Sequence, residues 1–162
     1  MLYTCDNLRL GCIEQAQIIK DNLMPIGIDV EIKLFPYAVY AEKLATKGEP
    51  FDLTVEPHSV EYVDPSQFVN LLLDGRTIRA TENTNRAYFD SPRYNRLIER
   101  ASRLSGNARY DAYGKLAVDI ARDAAPLAAF HNSVRRFFVS GRVGCVRAGA
   151  YGGVDLAGLC LN

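Results

Sequence analysis

A run of seven residues in which apolar and charged side chains alternate constrains the fold of this chain more than any other feature. Residues 28–34 read Ile-Asp-Val-Glu-Ile-Lys-Leu. Successive side chains of a strand point to opposite faces of a sheet, so the pattern predicts a strand with one buried face and one face in water. Apolar residues recur at helical spacing before this run, which predicts a helix over about residues 9–24 that ends at Pro25 and Gly27.

The neighbouring segments continue an alternation of strands and helices. A strand is predicted over residues 1–5, a helix over 37–46 and a further strand over 51–55. Strands that alternate with helices are typical of an α/β fold, in which right-handed helical crossovers join the strands of one sheet.

Two pairs of a capping residue and a proline predict where the later helices begin. Asp64-Pro65 predicts a helix to about residue 73, because aspartate caps helices and proline fits the first helical position. Gln67 can complete a capping box with Asp64. Ser91-Pro92 repeats the signal and begins a helical hairpin, interrupted at Gly106-Asn107 and ended by Pro126.

The remaining segments carry weaker patterns. Residues 74–90 show no period and are predicted to form a long loop. Two apolar runs, 127–130 and 134–139, predict strands, and the glycine-rich residues 141–162 predict an irregular carboxy-terminal tail.

Length and charge narrow the class of protein. The chain has 162 residues, which fits one domain, and 19 basic side chains balance 19 acidic ones, so it lacks the positive surface of a nucleic-acid binder. No apolar run is long enough to cross a bilayer. The first residues lack a charged stretch followed by an apolar one, so they are not read as a signal peptide. The chain is therefore expected to be cytosolic or a fragment of a longer protein.

The cysteines and histidines do not predict a metal site. None of the four cysteines forms a CxxC motif, and neither His58 nor His131 has metal-ligand spacing to a cysteine, so neither zinc nor any other cofactor is expected. The even count permits disulfides in an oxidising compartment, although buried free thiols explain it equally well. If disulfides form, Cys145 and Cys160 are the best candidate pair, because a staple would order the tail.

Residues 56–65 concentrate three carboxylates, an imidazole and a phenol between a predicted strand and a predicted helix. Open α/β sheets bind ligands at the carboxyl ends of their strands. Capping explains Asp64, whereas Glu61 has no local capping role and could pair with a ligand ammonium group. Tyr62 could stack on a ligand or hydrogen-bond to it, or pack beneath the helix instead.

Six stretches, taken in order, resemble the family 5 (peptide/nickel class) extracellular solute-binding proteins of ABC importers. The stretches are 16–23 with 26–30 (AQIIKDNL and IGIDV), 51–53 (FDL), 61–65 (EYVDP) with Phe68, 94–101, 109–126 and 154–156. The resemblance implies a periplasmic-binding-protein-like lobe of the type II fold, with a central mixed sheet and flanking helices. It further implies that residues 1–162 form the C-terminal lobe, and that the absent N-terminal lobe carries the signal peptide.

The same resemblance implies a function in transport. The protein would be extracytoplasmic, would be held as a lipoprotein, and would not be an enzyme. It would trap a peptide or a related small polar solute in a cleft by hinge closure, then dock on the membrane permease. The alternative is a stand-alone ligand-sensing domain or a hydrolase that uses the same cleft; the sequence shows no nucleophile with a base nearby.

Four residues of the 56–65 segment are the predicted ligand contacts: Glu61, His58, Tyr62 and Ser59. The resemblance aligns Glu61 with the acid that pairs with a peptide's amino terminus. It places His58 where many members have an aromatic residue, and Val55 where some peptide binders have an arginine for the peptide carboxylate. These departures leave an amine-bearing compound, a sugar or an opine-like molecule open as the solute.

Overall fold

The computed structural model describes residues 1–7, 11–130, 132, 134, 136–149 and 152–162. Its first third forms a parallel sheet of three strands: β1 (Leu2–Cys5), β2 (Ile32–Phe35) and β3 (Leu53–Thr54). The strand order is β2-β1-β3, with β1 paired to both neighbours in parallel. Helical crossovers join the strands, as the sequence predicts.

Two helices cover opposite faces of this sheet. Helix α1 (Cys12–Leu23) runs on into a 3-10 turn (Met24–Ile26), and α2 (Tyr37–Ala45) follows β2. Leu2 packs with residues of α1, whereas its neighbour Tyr3 packs with residues of α2. Since adjacent strand residues face opposite sides, the sheet is enclosed between the two helices.

The alternating segment 28–34 forms a shorter strand than predicted. Only Ile32–Phe35 pairs with β1, because β1 offers four residues for pairing. Val30 is buried, but Ile28 is 47% exposed and Leu34 is 54% exposed. The apolar face is therefore only partly covered at this edge of the sheet.

The second core lies among three helices: α3 (Ser66–Leu73), α4 (Pro92–Ser102) and α5 (Gly106–Asp123). Helices α4 and α5 form the predicted hairpin, and their apolar faces enclose Ile98, Tyr113 and Ile120. The starts predicted from the proline pairs lie within one or two residues of those observed.

The loop between α3 and α4 ties the two halves together. It contains one 3-10 turn (Gly75–Thr77) and is otherwise irregular, as predicted. The Asn83 amide donates to the Ala45 carbonyl at the end of α2, and the buried Asn85 amide donates to the Phe89 carbonyl. These side chains hold an irregular segment that no ladder of backbone hydrogen bonds supports.

The tail is more ordered than predicted. Strands β4 (Val143–Gly144) and β5 (Cys160–Leu161) pair antiparallel, separately from the central sheet. The predicted disulfide between Cys145 and Cys160 is confirmed, with Cα atoms 5.3 Å apart. A second disulfide, Cys5–Cys12, joins the end of β1 to the start of α1 and was not predicted.

The two strands predicted before the tail are not observed. Residues 127–130 form no strand, and neither do 134 and 136–139; residues 131, 133 and 135 lie outside the described residues. A strand needs a neighbour for its backbone hydrogen bonds, and no strand in the described part of the chain lies beside these runs. Nor does any described helix have the length and apolar character needed to cross a membrane.

Candidate functional site

The segment 55–65, called here the β3–α3 loop, lies where the sequence predicts a ligand site. It leaves the sheet at the carboxyl end of β3, and because all three strands are parallel, their carboxyl ends share this edge. Residues 56–63 are exposed. Open α/β folds bind ligands at such an edge.

Gln67 of α3 holds the middle of this loop. Its side chain is fully buried, and its Oε1 accepts hydrogen bonds from the backbone N–H groups of Glu61 (2.7 Å) and Tyr62 (2.8 Å). Its Nε2 donates to the Ser59 carbonyl over 2.6 Å. The predicted capping box is wrong, because the Asp64 N–H donates to the Tyr62 carbonyl and not to Gln67. Gln67 shapes the loop instead.

Asp64 fastens the end of the loop to the helical hairpin. Its Oδ1 accepts from the N–H of Ser66 at 2.9 Å, which confirms the predicted role at the helix start. Both carboxylate oxygens also accept from Arg109, each at 2.9 Å, and Arg109 Nη1 donates to the carbonyls of Ala101 and Ser102. The hydrogen bonds from Arg109 and Ser66 hold the pKa of Asp64 well below its usual range.

The surroundings of Glu61 differ from those of Asp64. Its backbone is fixed by Gln67, yet its side chain is exposed, and its carboxylate makes no hydrogen bond or ion pair within the described residues. An unpartnered acid on a fixed backbone can meet a cation without first breaking an internal contact. Its role as a ligand contact stays a prediction.

The other three predicted residues lie in the same loop. The His58 ring meets the Phe68 ring edge-on, with centroids 5.5 Å apart. Tyr62 is 41% exposed, and its hydroxyl lies 3.3 Å from Ser66 Oγ. Ser59 is exposed and offers its backbone carbonyl to Gln67. The structure thus places all four residues in one exposed loop, and their contact with a ligand stays a prediction.

An ion pair that the sequence did not indicate lies at Glu56, directly after the buried Val55. Glu56 forms an ion pair with Arg86, which reaches it from the α3–α4 loop. Tyr40 of α2 fixes the adjacent backbone, with its hydroxyl 2.7 Å from the Val55 carbonyl and 2.5 Å from Thr54 Oγ1. Arg86 lies in a stretch without periodicity, so no pattern in the sequence pointed to it.

This surface is open and not enclosed. Two shallow depressions, of about 290 and 330 Å³, lie along α2, and neither is lined by a residue of the β3–α3 loop. No group of histidine, cysteine or acidic side chains among the described residues could hold a metal ion. All four cysteines are in disulfides, so the hydrolase alternative has no free thiol to use as a nucleophile.

A parallel sheet between helices, with an exposed loop at the carboxyl edge, is the architecture of a periplasmic-binding-protein-like lobe. Three solved structures share it. The Clavulanic acid biosynthesis oligopeptide binding protein 2 matches with a TM-score of 0.88 at 20% identity, over 99% of this chain and 30% of its own. HbpA2 from Haemophilus parasuis matches with a TM-score of 0.82 at 18% identity, over 99% of this chain and 31% of its own. The periplasmic binding protein DppA from Helicobacter pylori, in complex with the peptide STSA, matches with a TM-score of 0.68 at 21% identity, over 99% and 30%.

These matches establish the fold. The chain spans about a third of the length of the solved structures it matches. No family model and no curated protein matches the sequence. The predicted fold class is confirmed, with the central sheet entirely parallel and the antiparallel pairing confined to the tail. The resemblance to family 5 solute-binding proteins is thereby confirmed at the level of fold.

Proposed function

We propose that this chain is the C-terminal lobe of a two-lobed solute-binding protein that captures a peptide or a related small polar solute for an ABC importer. The observation that carries the proposal is the match of 99% of this chain to 30% of an oligopeptide-binding protein, with a TM-score of 0.88. A chain that has the fold of one part of a binding protein is expected to supply one part of a binding site.

The openness of the β3–α3 loop supports a cleft shared with a second lobe. Small-molecule sites usually bury most of the ligand, which one exposed loop cannot do. In the proposed mechanism Glu61 pairs with an ammonium group of the solute and Tyr62 covers an apolar part of it. The lobes close because the closed state makes contacts that the open state lacks, since a ligand shifts an equilibrium only by its differential affinity. The closed protein then docks on the permease.

Two residues that differ from the pattern of peptide-binding family members bear on which solute this loop would bind. Val55 is buried and carries no charge where some peptide binders have an arginine, and His58 replaces an aromatic residue. The loop therefore lacks that positive charge for a peptide carboxylate, and an amine-bearing compound, a sugar or an opine-like molecule competes with a short peptide for the assignment.

The proposed location is outside the cytoplasm, with a lipid anchor on the part of the protein that precedes this lobe. Two disulfides support this location, because such bonds persist in oxidising compartments and are rare in the cytosol. The same disulfides argue against the expectation that the chain is cytosolic.

The first test is the reading frame that encodes the chain. The proposal predicts that it continues upstream into a signal peptide and a second α/β lobe. The whole protein, purified without added solute, should release a small molecule on denaturation that mass spectrometry detects. A reading frame that starts at Met1 and stands alone would contradict the two-lobed assignment and favour a stand-alone domain.

A further inference from the structure

The exposed side of helix α4 and its C-cap residue carries a row of arginines, called here the arginine face. Of residues 93–103, the ones with exposed side chains are four arginines and one serine. The arginines are Arg93, Arg96, Arg100 and Arg103. Spacings of three and four residues bring them to one side of the helix, along about 15 Å. The opposite side of α4 is buried in the helical core, so this face is held in a fixed orientation.

The middle of the arginine face is not neutralised. Arg96 and Arg100 make no side-chain hydrogen bond or ion pair within the described residues. Arg103 pairs with Glu99, the one acid of α4, but Glu99 is shared with Arg76 from the α3–α4 loop. Here two arginines therefore divide one carboxylate.

The amino-terminal end of the face is no better balanced. The Arg93 guanidinium lies over the Tyr94 ring, 5.1 Å from its centroid. Asp123 of α5 is close enough for its charge to interact with that of Arg93, but this acid already pairs with Arg122. Positive charge is thus in excess along the whole face, although the chain has as many acidic as basic side chains.

The arrangement works against the stability of α4. Like charges three or four residues apart repel each other, and the face has three such pairs in succession. The first turn has no acid and contains Arg93, although the amino-terminal end of a helix favours negative charge. Helix α5 of the same hairpin shows the usual solution, since its exposed Lys115 and Arg122 both pair with Asp119. A partner with negative charge would offset the repulsion on α4.

The composition of the face favours a lipid surface over a protein as that partner. Protein interfaces have an apolar core, in which a few large side chains supply most of the affinity. None of the exposed side chains of residues 93–103 is apolar. An anionic bilayer attracts basic side chains through its surface potential, without a matching pocket for each of them.

We propose that the arginine face is a docking surface for an anionic lipid bilayer. The contact is electrostatic and lies at the headgroups, because the apolar side of α4 is packed in the core and cannot insert. The inference goes beyond the proposed function and does not depend on it, since it needs only the charge of this face.

The experiment is co-sedimentation of the full 162-residue chain with lipid vesicles. One set is pure phosphatidylcholine, and the other contains equal parts of phosphatidylcholine and phosphatidylglycerol. We expect binding to the mixed vesicles only. This binding should weaken when the salt is raised from about 0.01 M to about 0.15 M, because the Debye length falls from about 30 Å to about 8 Å. Equal binding to both sets, or to neither, would overturn the proposal.

The decisive variant is the double change Arg96→Gln and Arg100→Gln. It should weaken binding to the mixed vesicles about 25-fold, about fivefold for each arginine near an anionic surface. Its melting temperature should not fall, because these side chains have no internal partner and their mutual repulsion is removed. The charge-matched control is Arg142→Gln with Arg147→Gln, two exposed arginines of the tail. An equal loss in the control would show that only net charge matters and would overturn the assignment to α4.

Two further measurements separate a bilayer from other anionic partners. Arg96→Lys with Arg100→Lys keeps the charge and should keep vesicle binding, whereas its loss would mean that a specific guanidinium contact is required, which contradicts the proposal. Binding to poly-glutamate without binding to the mixed vesicles would assign the face to an acidic protein and overturn the lipid assignment. Solute capture is measured separately, so failure of either proposal leaves the other standing.

Discussion

Glu61 and Asp64 lie in the same loop but differ in what surrounds them. The Asp64 carboxylate accepts hydrogen bonds from Arg109 and from the N–H of Ser66, whereas Glu61 has an exposed carboxylate without a partner in the described chain. Asp64 therefore stabilises the lobe, and Glu61 is available for a ligand.

In the two-lobed protein, Glu61→Gln should weaken the binding of an ammonium-bearing solute by about 1.5–3 kcal/mol, the range for hydrogen bonds to charged groups. The melting temperature should hardly change, because no internal contact of the carboxylate is lost. Calorimetry and thermal melting measure the two effects. The control is Asp64→Ala, which should lower the free energy of unfolding by about 1 kcal/mol through the lost helix cap, and further through the lost pairing with Arg109. A Glu61→Gln protein that binds normally and melts early would show that the two roles are reversed.

The ion pair of Asp64 also predicts how stability depends on pH. Arg109 lowers the pKa of Asp64 in the folded state, so the unfolded state binds the proton more readily. The stabilisation is fully present above the unfolded pKa of about 3.9 and is lost as the pH falls further, through the folded pKa. The free energy of unfolding can be measured with urea at pH 6 and at about pH 2. Between these two pH values it should fall less for Asp64→Ala than for the unmodified chain. Parallel pH profiles would mean that Asp64 is not the titrating group.

Among the elements, the shape of the β3–α3 loop depends on one helical side chain. Gln67 satisfies three backbone groups of the loop and is itself fully buried. Gln67→Leu should cost about 1–3 kcal/mol of stability, because those backbone groups lose their partner. Amide hydrogen exchange at residues 61 and 62 should accelerate.

The matched control for this change is Gln17→Leu. Gln17 lies on the exposed face of α1, and among the described residues its amide reaches only Asp21, so the same substitution should stay within about 0.5 kcal/mol. Equal effects at both positions would show that Gln67 does not organise the loop.

The tail disulfide should act locally. No described residue of the tail is buried, so the double change of Cys145 and Cys160 to serine should speed amide exchange in β4 and β5 and leave the main melting transition in place. The same change at Cys5 and Cys12, which are buried in the sheet core, should lower that transition. A large drop in the melting temperature of the tail variant would contradict this, because it would show that the tail unfolds together with the rest of the chain.

The elements also show what the sequence alone can predict. Periodicity and proline pairs indicated the helices and a sheet with helical crossovers, because those signals are local. The roles of Gln67 and Arg86 could not be predicted, since each depends on a contact between distant segments. The apolar runs at 127–130 and 134–139 predicted strands from composition, but strand formation also requires a pairing neighbour.

For the whole molecule, the account holds that this chain supplies one wall of a binding cleft. The fold, the open loop and the match to about a third of longer binding proteins agree with a lobe that works with a second one. In the proposed function, the solute would be enclosed only when this lobe and a second one close on it.

The most direct test is calorimetry of this 162-residue chain alone, and of the same chain joined to its N-terminal lobe, against one panel of peptides, sugars and amino-acid derivatives. The account predicts that the isolated chain folds but binds nothing tighter than roughly micromolar, since a one-sided site buries too little of a ligand. The joined protein should bind one member of the panel much more tightly. A tight ligand with one-to-one stoichiometry for the isolated chain would contradict the account.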